Sequence, residues 1–363
     1  MSPLLLESSL RETLADWRPA IDEAIADLVP REIDADYLES FFGAPTYEYD
    51  PTAIQRALST PLWELLDRGG KRWRAVLFLV FVEGFGEDPA EYIHYACIPE
   101  ILHNGTIIVD DVEDGATIRR GERALHHLYG QDIALNAGNA LYFLPLKVLT
   151  ENPADLPADR RLAAYEMLTS ELNRTHLGQG MDICWHNERD VRITPEQYLE
   201  MCACKTGCLA RIVARLAAIV TDQPGEVEEA VAAYAELTAV AFQIGDDILD
   251  VEHSLGRAGD FGKEFGNDIR EGKQTLLVIH AIQESDPEHA KRLQDILSAD
   301  ENTDEEITEA LEIIEDAGSL EYAREHALDL AAQARAAIDG LEFDDETTRK
   351  LFEFTEFVVD RED

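Results

Sequence analysis

The spacing of apolar residues constrains the fold of this chain more than any other feature, because it follows the period of an α-helix almost throughout. Residues 226–251 show it most clearly, with apolar side chains in steps of three and four at Val227, Ala230, Val231, Tyr234, Leu237, Ala241, Ile244 and Ile248. The same spacing recurs over residues 131–150, 158–182, 195–220 and 318–339. The alternation typical of strands is not evident. The sequence therefore predicts an all-α protein.

Short Gly, Pro and Asp clusters separate these helical stretches, as in FFGAP, ENPADLPAD and TDQPG. None of them is long enough to be a linker between domains. We therefore predict one main helical domain over residues 46–363, and a helical N-terminal extension over residues 1–45 that packs on it.

The charge of the chain excludes several classes of partner. Its 363 residues include 74 Asp and Glu against 31 Lys and Arg, which gives a net charge of −43. Nucleic acid and anionic membrane surfaces would be repelled. An ordinary acidic cytosolic protein is one interpretation. We favour a halophilic protein, because a Debye length of about 3 Å at 1 M salt stops such carboxylates from repelling one another.

No stretch of the sequence predicts insertion into a membrane. The longest apolar run, residues 75–82, is far shorter than the about 20 residues that a spanning helix needs. The N-terminus lacks the basic start and the apolar core of a signal peptide. We expect a cytoplasmic protein.

The cysteines do not form a metal-binding pattern. Cys202, Cys204 and Cys208 have the spacing C-x-C-x₃-C, without the second set of ligands that a zinc site needs. We expect them to be small, buried hydrophobic residues of a helix.

The motif D-D-x-x-D, which occurs twice, carries the functional prediction. Its members are Asp110, Asp111 and Asp114 in the first copy, and Asp246, Asp247 and Asp250 in the second. On a helix, the first and last aspartates of each copy project from one face. Each copy follows an apolar stretch, where carboxylates are costly unless they are paired or metal-bound. One copy alone is equally well explained as surface acid, but two indicate carboxylate walls that clamp a magnesium-bound diphosphate.

Basic residues are scarce, and several lie in short motifs that suit phosphate binding. The candidates are Lys71, Arg72 and Arg74 in DRGGKRWRA, Arg119 and Arg120 in ATIRRGE, Lys205 and Thr206 in CKTG, and Lys263 and Lys273 in FGKEFGNDIREGK. Each alone is more often a solvated surface residue. Together they fit a site for two diphosphates, one held through metal and the other through direct basic contacts.

These motifs, taken in order, resemble the trans-isoprenyl diphosphate synthases, which form the polyprenyl synthetase family. The resemblance runs from about residue 60 to the C-terminus, and HNGTIIVDDVED, NAGNALYF and GQGMDICW are most similar to geranylgeranyl diphosphate synthases of the eukaryotic type. It implies the isoprenoid synthase fold, which is a bundle of long helices around a deep central cavity, usually in a homodimer. It also implies Mg²⁺ as the cofactor, with three ions when substrate diphosphate is bound.

The resemblance also assigns roles to individual residues. Magnesium would be bound by Asp110, Asp114 and Asp246, with support from Asp111, Asp247 and Asp250. Arg119 would hold the allylic diphosphate. Isopentenyl diphosphate would be held by Lys71, Arg74, His103 and Arg120. The reacting centre would be lined by Lys205, Thr206, Gln243 and Lys263, with Lys273 as a weaker candidate.

The function that the resemblance implies is a trans-prenyltransferase. It would condense isopentenyl diphosphate with an allylic diphosphate by magnesium-assisted ionisation, condensation and proton loss. Product length would depend on the depth of the cavity. Gly105 and Thr106, shortly before Asp110, are not aromatic and leave the floor open, while Tyr142 and Phe143 are candidates for a deeper floor. We expect twenty-carbon geranylgeranyl diphosphate, ahead of the longer geranylfarnesyl and the shorter farnesyl diphosphate.

Three other functions fit the sequence less well. A class I terpene cyclase would carry an Asn/Ser/Glu-type second motif and lack the basic residues for isopentenyl diphosphate. A non-catalytic partner subunit would have lost aspartates from the motifs. A calcium-binding structural protein would need loop-borne ligands such as D-x-D-x-D-G, which the sequence does not contain.

Overall fold

The computed structural model of this chain describes residues 3–188, 192–257, 265–299 and 301–359. Across these ranges the backbone is helical apart from turns, short connections and one small hairpin. The prediction of an all-α fold is confirmed. Lys263 lies outside the described residues, so its role stays a prediction.

Contacts between residues divide the chain into two units. The N-terminal unit comprises residues 11–165, and the C-terminal unit comprises residues 166–363 together with residues 1–10. Helix α1 (Pro3–Leu28) therefore contributes to both units. The separate extension predicted for residues 1–45 stays a prediction.

In the N-terminal unit, short and medium helices pack around the long helix α6 (Ile93–Glu113). After α1 they are α2 (Ala35–Phe42), α3 (Pro51–Ile54), α4 (Thr60–Asp67), α5 (Trp73–Gly84), α6 (Ile93–Glu113), α7 (Leu125–Tyr129), α8 (Gln131–Ala140) and α9 (Lys147–Glu151). Aspartates start two of the helices: Asp34 caps α2 and Asp50 caps α3, each accepting a backbone N–H three residues on.

Helix α5 is the core helix of this unit. Residues 75–82, the longest apolar run of the sequence, are at most 1% exposed there. The run is therefore apolar all round because it is surrounded by protein. Helix α5 packs against α6, which carries the first aspartate motif at its C-terminal end. Among the residues that the structure describes, no helix is long and apolar enough to cross a membrane.

Helices α6 and α8 approach each other closely at a pair of glycines. A Cβ on Gly105 would lie 2.8 Å from Cβ of Leu141 and 3.0 Å from the carbonyl oxygen of Gly138. A Cβ on Gly138 would lie 2.7 Å from Cγ2 of Val109 and 3.1 Å from the carbonyl oxygen of Gly105. The structure thus corrects the interpretation of Gly105 as an open position in the wall of a chain tunnel. Gly105 faces α8, and its lack of a side chain lets the helices touch.

A small hairpin follows the first aspartate motif. Strands β1 (Ile118–Arg119) and β2 (Glu122–Arg123) pair antiparallel across a two-residue turn. The turn residues Arg120 and Gly121 have φ values of +54° and +75°, as a type I′ turn requires. Strands of two residues leave no alternating pattern, so this hairpin was not predicted from the sequence. The turn therefore fixes the positions of the neighbouring Arg119 and Arg120.

The C-terminal unit contains the longer helices. They are α10 (Ala158–Glu188, beginning in the N-terminal unit), α11 (Pro195–Cys202), α12 (Cys208–Val220), α13 (Gly225–Ser254), α14 (Asn267–Arg270), α15 (Leu276–Glu284), α16 (Pro287–Leu297), α17 (Asp304–Asp316), α18 (Ser319–Ile338) and α19 (Asp345–Val359). A π-helical turn, Ala203–Gly207, connects α11 to α12.

Helix α13 is the centre of the C-terminal unit and carries the second aspartate motif. It packs against α12, α18 and α19. Most of the apolar positions that predicted this helix are buried, with Val231, Tyr234 and Ile244 at 0% exposed, while Val227, Ala230 and Leu237 are half-buried. The helical period of residues 226–251 is therefore confirmed, and the motif lies on a helix held on several sides.

Three cysteines of the C-terminal unit are core residues, whereas Cys184 is exposed. Cys202, Cys204 and Cys208 are each at most 4% exposed, as the sequence predicted. Burial raises the pKa of all three thiols, so they stay protonated and unreactive.

The glycine contact between α6 and α8 gives a stability prediction. Gly105→Ala should lower the free energy of unfolding by about 1–3 kcal/mol, because the new methyl overlaps the backbone and Leu141 of the facing segment. Urea denaturation of the purified variant measures this change.

Gly180→Ala is the matched control, because Gly180 also lies inside a long helix but a Cβ there would meet nothing within 4 Å. It should stabilise the protein by about 0.5–1 kcal/mol, the usual gain of alanine over glycine in a helix. A Gly105→Ala protein at least as stable as wild type would contradict the close contact.

Candidate active site

The first aspartate motif occupies the last turn of α6, and Asp114 is the C-cap of that helix. Its N–H donates to the carbonyl oxygen of Asp110 at 2.8 Å. Asp111 is buried, whereas Asp110 and Asp114 are half-buried. The C-terminal end of a helix already carries partial negative charge. Three aspartates and Glu113 at this end make an anionic turn that a bound cation would stabilise.

The hairpin brings Arg119 to this motif. Its Nε donates to Oδ1 of Asp111 at 2.7 Å, and Nη2 forms an ion pair with the same oxygen. Burial raises the pKa of the Asp111 carboxyl, and the Arg119 guanidinium opposes that rise. The pair holds the buried aspartate of the motif in place.

Arg120 points away from the motif and is bound inside the N-terminal unit. Its Nη1 donates to the carbonyl oxygens of Leu65 at 2.9 Å and Gly69 at 3.1 Å, and Nη2 donates to Oδ1 of Asn104 at 3.3 Å. Burial lowers its pKa to about 10, so the guanidinium is still charged at neutral pH. The guanidinium ties the turn after α4 to the middle of α6.

Two further arginines shape the same turn. Nη1 of Arg68 donates to the carbonyl oxygens of Arg119 at 3.2 Å and Arg123 at 2.9 Å, which attaches the hairpin to the end of α4. Arg72, which is 2% exposed, donates to Asp22 at 2.9 Å and to the carbonyl oxygen of Leu66 at 3.0 Å. Arg72 is therefore a structural residue and not a surface cation.

The remaining candidates for isopentenyl diphosphate differ in exposure. Lys71 is exposed and Arg74 is 5% exposed. His103 has a buried Nδ1 that makes no hydrogen bond within the described part of the chain. Burial, and then nearby arginines with Arg74 first, hold the pKa of His103 well below its ordinary value. The imidazole is therefore neutral and lies among cations.

The residues proposed to set product length are spread over different environments. Thr106 is half-buried, and its hydroxyl donates to the carbonyl oxygen of His103 at 2.8 Å. Tyr142 is half-buried near the first motif: burial, then Glu113 and Asp110, raise the pKa of its phenol. The ring of Phe143 is 71% exposed, which does not suit a closed floor within this chain.

The second aspartate motif lies in the interior of α13. Asp246 is half-buried, while Asp247 and Asp250 are 5% and 3% exposed. Oδ1 of Asp250 accepts the backbone N–H of Asp268 at 3.3 Å. The two buried aspartates are therefore held by the protein, and Asp246 is the most accessible of the three.

A chain of hydrogen bonds links Asp247 to the turn that precedes α12. Asp247 accepts from the Tyr198 hydroxyl at 2.6 Å through Oδ2 and from Nε2 of Gln243 at 3.1 Å through Oδ1. The Thr206 hydroxyl donates to Oε1 of Gln243 at 3.1 Å. Nζ of the adjacent Lys205 pairs with Oδ2 of Asp182 at 2.6 Å.

These groups surround a pocket of about 70 Å³ in the C-terminal unit. Its lining includes Asp182, Lys205, Thr206, Gln243, Asp247 and Lys273. Nζ of Lys273 lies 2.5 Å from Oε2 of Glu271. Ammonium groups and carboxylates thus alternate around one opening, which suits a ligand that carries both phosphate and metal.

Sequence reasoning missed several residues of this arrangement. Asp182 lies in GQGMDI and Asp268 in GND, which are segments of the resemblance, so both could have been predicted as site residues from their motifs. Arg68 and Tyr198 gave none, because their partners are 49 or more residues away in the chain.

The fold of this chain is that of known prenyltransferases. The crystal structure of geranylgeranyl pyrophosphate synthetase from Pyrococcus horikoshii is similar with a TM-score of 0.84 and 27% identity, over 98% of this chain and 99% of that one. A polyprenyl synthase from Caulobacter crescentus, solved with calcium and isoprenyl diphosphate, has a TM-score of 0.79 and 25% identity over 97% and 98%. The fold is therefore the isoprenoid synthase fold.

The sequence comparisons define the family. The polyprenyl synthetase model matches residues 55–314. The geranylfarnesyl diphosphate synthase of Natronomonas pharaonis is 30% identical over 97% of this chain and 98% of its own length. The chain therefore belongs to the polyprenyl synthetase family, which is a family of prenyltransferases.

Proposed function

We propose that this protein is a magnesium-dependent prenyltransferase that condenses isopentenyl diphosphate with an allylic diphosphate to give geranylgeranyl diphosphate, and that it acts as a homodimer. The observation that carries the proposal is the pocket of the C-terminal unit, where Lys205 and Lys273 lie beside the second aspartate motif. A diphosphate bridged to metal needs cations from the protein and carboxylates for the metal. The pocket offers the cations, and its wall includes Asp247, the neighbour in sequence of Asp246, which we propose as the metal ligand.

Magnesium fits the oxygen donors of the motifs. Among the described residues, no three His, Cys, Asp or Glu side chains converge so as to hold a metal alone. Magnesium is commonly bound by one or two carboxylates, with water and substrate phosphates completing its shell. Asp110 and Asp114 would supply carboxylates in the N-terminal unit, and Asp246 would supply one in the C-terminal unit. When bound, the metal supplies Lewis-acid stabilisation of the charge on the departing diphosphate.

The basic residues would bind the phosphates directly. Lys205 and Lys273 would neutralise phosphate oxygens in the pocket, and Arg119 would share its donors between Asp111 and the allylic diphosphate. Because His103 is neutral, it can donate a hydrogen bond to isopentenyl diphosphate without adding to the charge of the neighbouring arginines. Holding both substrates in fixed positions is the main contribution that such a site makes to the rate.

The length of the product would depend on where the growing chain meets a side chain that stops it. Burial of each added methylene is favourable by about 0.8 kcal/mol, so the chain grows until a side chain stops it. Tyr142 is the residue that we propose as the stop, because it is half-buried beside the first motif. The Natronomonas pharaonis relative, named for geranylfarnesyl diphosphate, makes a twenty-five-carbon product the second candidate.

A product assay tests the function. The protein with magnesium, radiolabelled isopentenyl diphosphate and each allylic primer in turn should yield a twenty-carbon alcohol after dephosphorylation and chromatography.

Asp246→Asn should lower turnover by at least about a thousandfold, because the metal-binding charge is lost while the shape is kept. A matched control, Glu229→Gln, changes an exposed acid of the same helix and should retain the wild-type rate. No prenyl product, or a near-wild-type rate for Asp246→Asn at saturating magnesium, would refute the proposal.

The two substrates should respond differently to loss of a basic residue. Lys71→Ala should raise the KM for isopentenyl diphosphate about tenfold, the usual effect of one charged hydrogen bond, and leave the KM for the primer little changed. Because Lys71 is exposed, the melting temperature should not move. Initial rates with each substrate varied separately give both constants.

Arg120→Ala is compared with Lys71→Ala, because Arg120 is a cation that is held inside the protein. It should raise the same KM and also destabilise the protein by about 2 kcal/mol or more, because the oxygens of Leu65, Gly69 and Asn104 lose their donor. Equal rises in both KM values for Lys71→Ala would argue against two separate diphosphate sites.

We also propose that the protein is adapted to high salt, on the strength of its net charge of −43. Lowering potassium chloride from molar concentration to about 0.1 M extends the Debye length to about 10 Å and restores repulsion between carboxylates. The melting temperature should fall steadily over that range, as followed by circular dichroism. A melting temperature that stays constant would contradict the adaptation.

A further inference from the structure

We propose that Tyr198 is a positioning residue for the second aspartate motif, acting on bound metal and diphosphate through its hydrogen bond to Asp247. This inference rests on the proposed function, because it assigns a role within the same site. Its basis is a set of contacts around one buried carboxylate, which no sequence motif points to.

The Tyr198 hydroxyl is fixed before any ligand arrives. The side chain is 2% exposed, and its oxygen lies 2.6 Å from Oδ2 of Asp247. Helix α11, which carries it, begins with a capping box between Thr194 and Gln197, with Pro195 in its first turn. The N–H of Tyr198 donates to the carbonyl oxygen of Thr194 at 3.1 Å. A short, firmly capped helix therefore aims this hydroxyl at the motif.

Asp247 is satisfied from both sides. Tyr198 donates to one carboxylate oxygen, and Gln243 donates to the other at 3.1 Å. A carboxylate that is 5% exposed needs such donors to remain ionised and in one orientation. Both oxygens of Asp247 are engaged by the protein, so Asp246, the more exposed member of the pair, is the proposed metal ligand.

The same contacts fix the walls of the pocket. Gln243, held by Asp247, accepts the Thr206 hydroxyl at 3.1 Å. The chain Tyr198–Asp247–Gln243–Thr206 therefore runs from α11 through α13 to the turn Ala203–Gly207, and every member lines the pocket. Without the Tyr198 hydroxyl, Asp247 would turn toward the opening and compete with Asp246 for the cation, and Gln243 would lose its fixed acceptor.

The alternative is that Tyr198 only stabilises the fold, as any buried tyrosine with a satisfied hydroxyl does. Tyr234 provides the matched control. It is fully buried in the same unit, and its hydroxyl donates to the carbonyl oxygen of Leu351 at the same distance, 2.6 Å. Tyr234→Phe and Tyr198→Phe thus remove the same group from equally buried sites, and only one of them touches the motif.

The test measures magnesium binding and turnover separately. Full-length wild type, Tyr198→Phe and Tyr234→Phe are melted with inorganic pyrophosphate over a series of magnesium concentrations, and kcat and KM are measured with both substrates. Both variants should melt at similarly reduced temperatures. Tyr198→Phe alone should need about tenfold more magnesium for half-maximal stabilisation, as expected for loss of one charge-assisted hydrogen bond. Its kcat should fall at least about tenfold with little change in KM.

Two outcomes would overturn the inference. One is a Tyr198→Phe protein whose magnesium requirement and kcat stay within about twofold of those of Tyr234→Phe. The other is an additive effect when Tyr198→Phe is combined with Asp247→Ala, since residues that act through each other should not add. If Tyr198→Phe does not fold, Gln243→Leu removes the other donor to Asp247 and must show the same magnesium shift. Failure of the proposed function is recognised separately, because wild type would then make no prenyl product.

Discussion

The site depends on keeping buried carboxylates ionised and in place. An ionised carboxylate inside a protein costs several kcal/mol unless donors surround it. Asp111 receives its donors from Arg119 on the hairpin, and Asp247 receives them from Tyr198 and Gln243. Arg119 and Tyr198 lie on segments other than the helix that carries the aspartate, whereas Gln243 lies four residues before Asp247 on α13. The hairpin and the short helix α11 therefore lie where they can donate to Asp111 and Asp247, two carboxylates that would otherwise be too costly to bury.

The same requirement explains where the few basic residues are placed. Glu171, with a side chain that is 1% exposed, lies 2.8 Å from Arg211 and 2.6 Å from Arg215. Arg72 is buried in the N-terminal unit. Arginines that neutralise internal carboxylates or backbone oxygens do not offset charge at the surface. Buried acids nevertheless outnumber buried bases among the described residues, so burial removes little of the net charge of −43, and the surface stays strongly acidic.

Sequence periodicity predicted the helices well where one face packs on a core. Residues 226–251 became α13, but residues 131–150 are interrupted after Ala140 by a 3₁₀ turn that contains Pro145. The motifs located the aspartates because their spacing is local. The role of Tyr198 could not be predicted, because a hydrogen bond between residues 49 positions apart leaves no local sequence pattern. The role of Gly105 was misjudged because spacing from Asp110 does not reveal which helix faces the glycine.

Arg120, which we propose as a ligand of isopentenyl diphosphate, is held in place before any substrate binds. Its hydrogen bonds to Leu65, Gly69 and Asn104 use three of the five N–H donors of the guanidinium. The arginine could not swing out to meet a phosphate without leaving buried oxygens unsatisfied. In the proposed complex, a phosphate would have to approach the guanidinium and accept from its remaining N–H donors. The Arg120 side chain has already lost most of its conformational freedom on folding, so binding would cost it little further conformational entropy. Lys71 is exposed, so it would lose more side-chain freedom on binding than the buried Arg120, and the two cations would contribute differently.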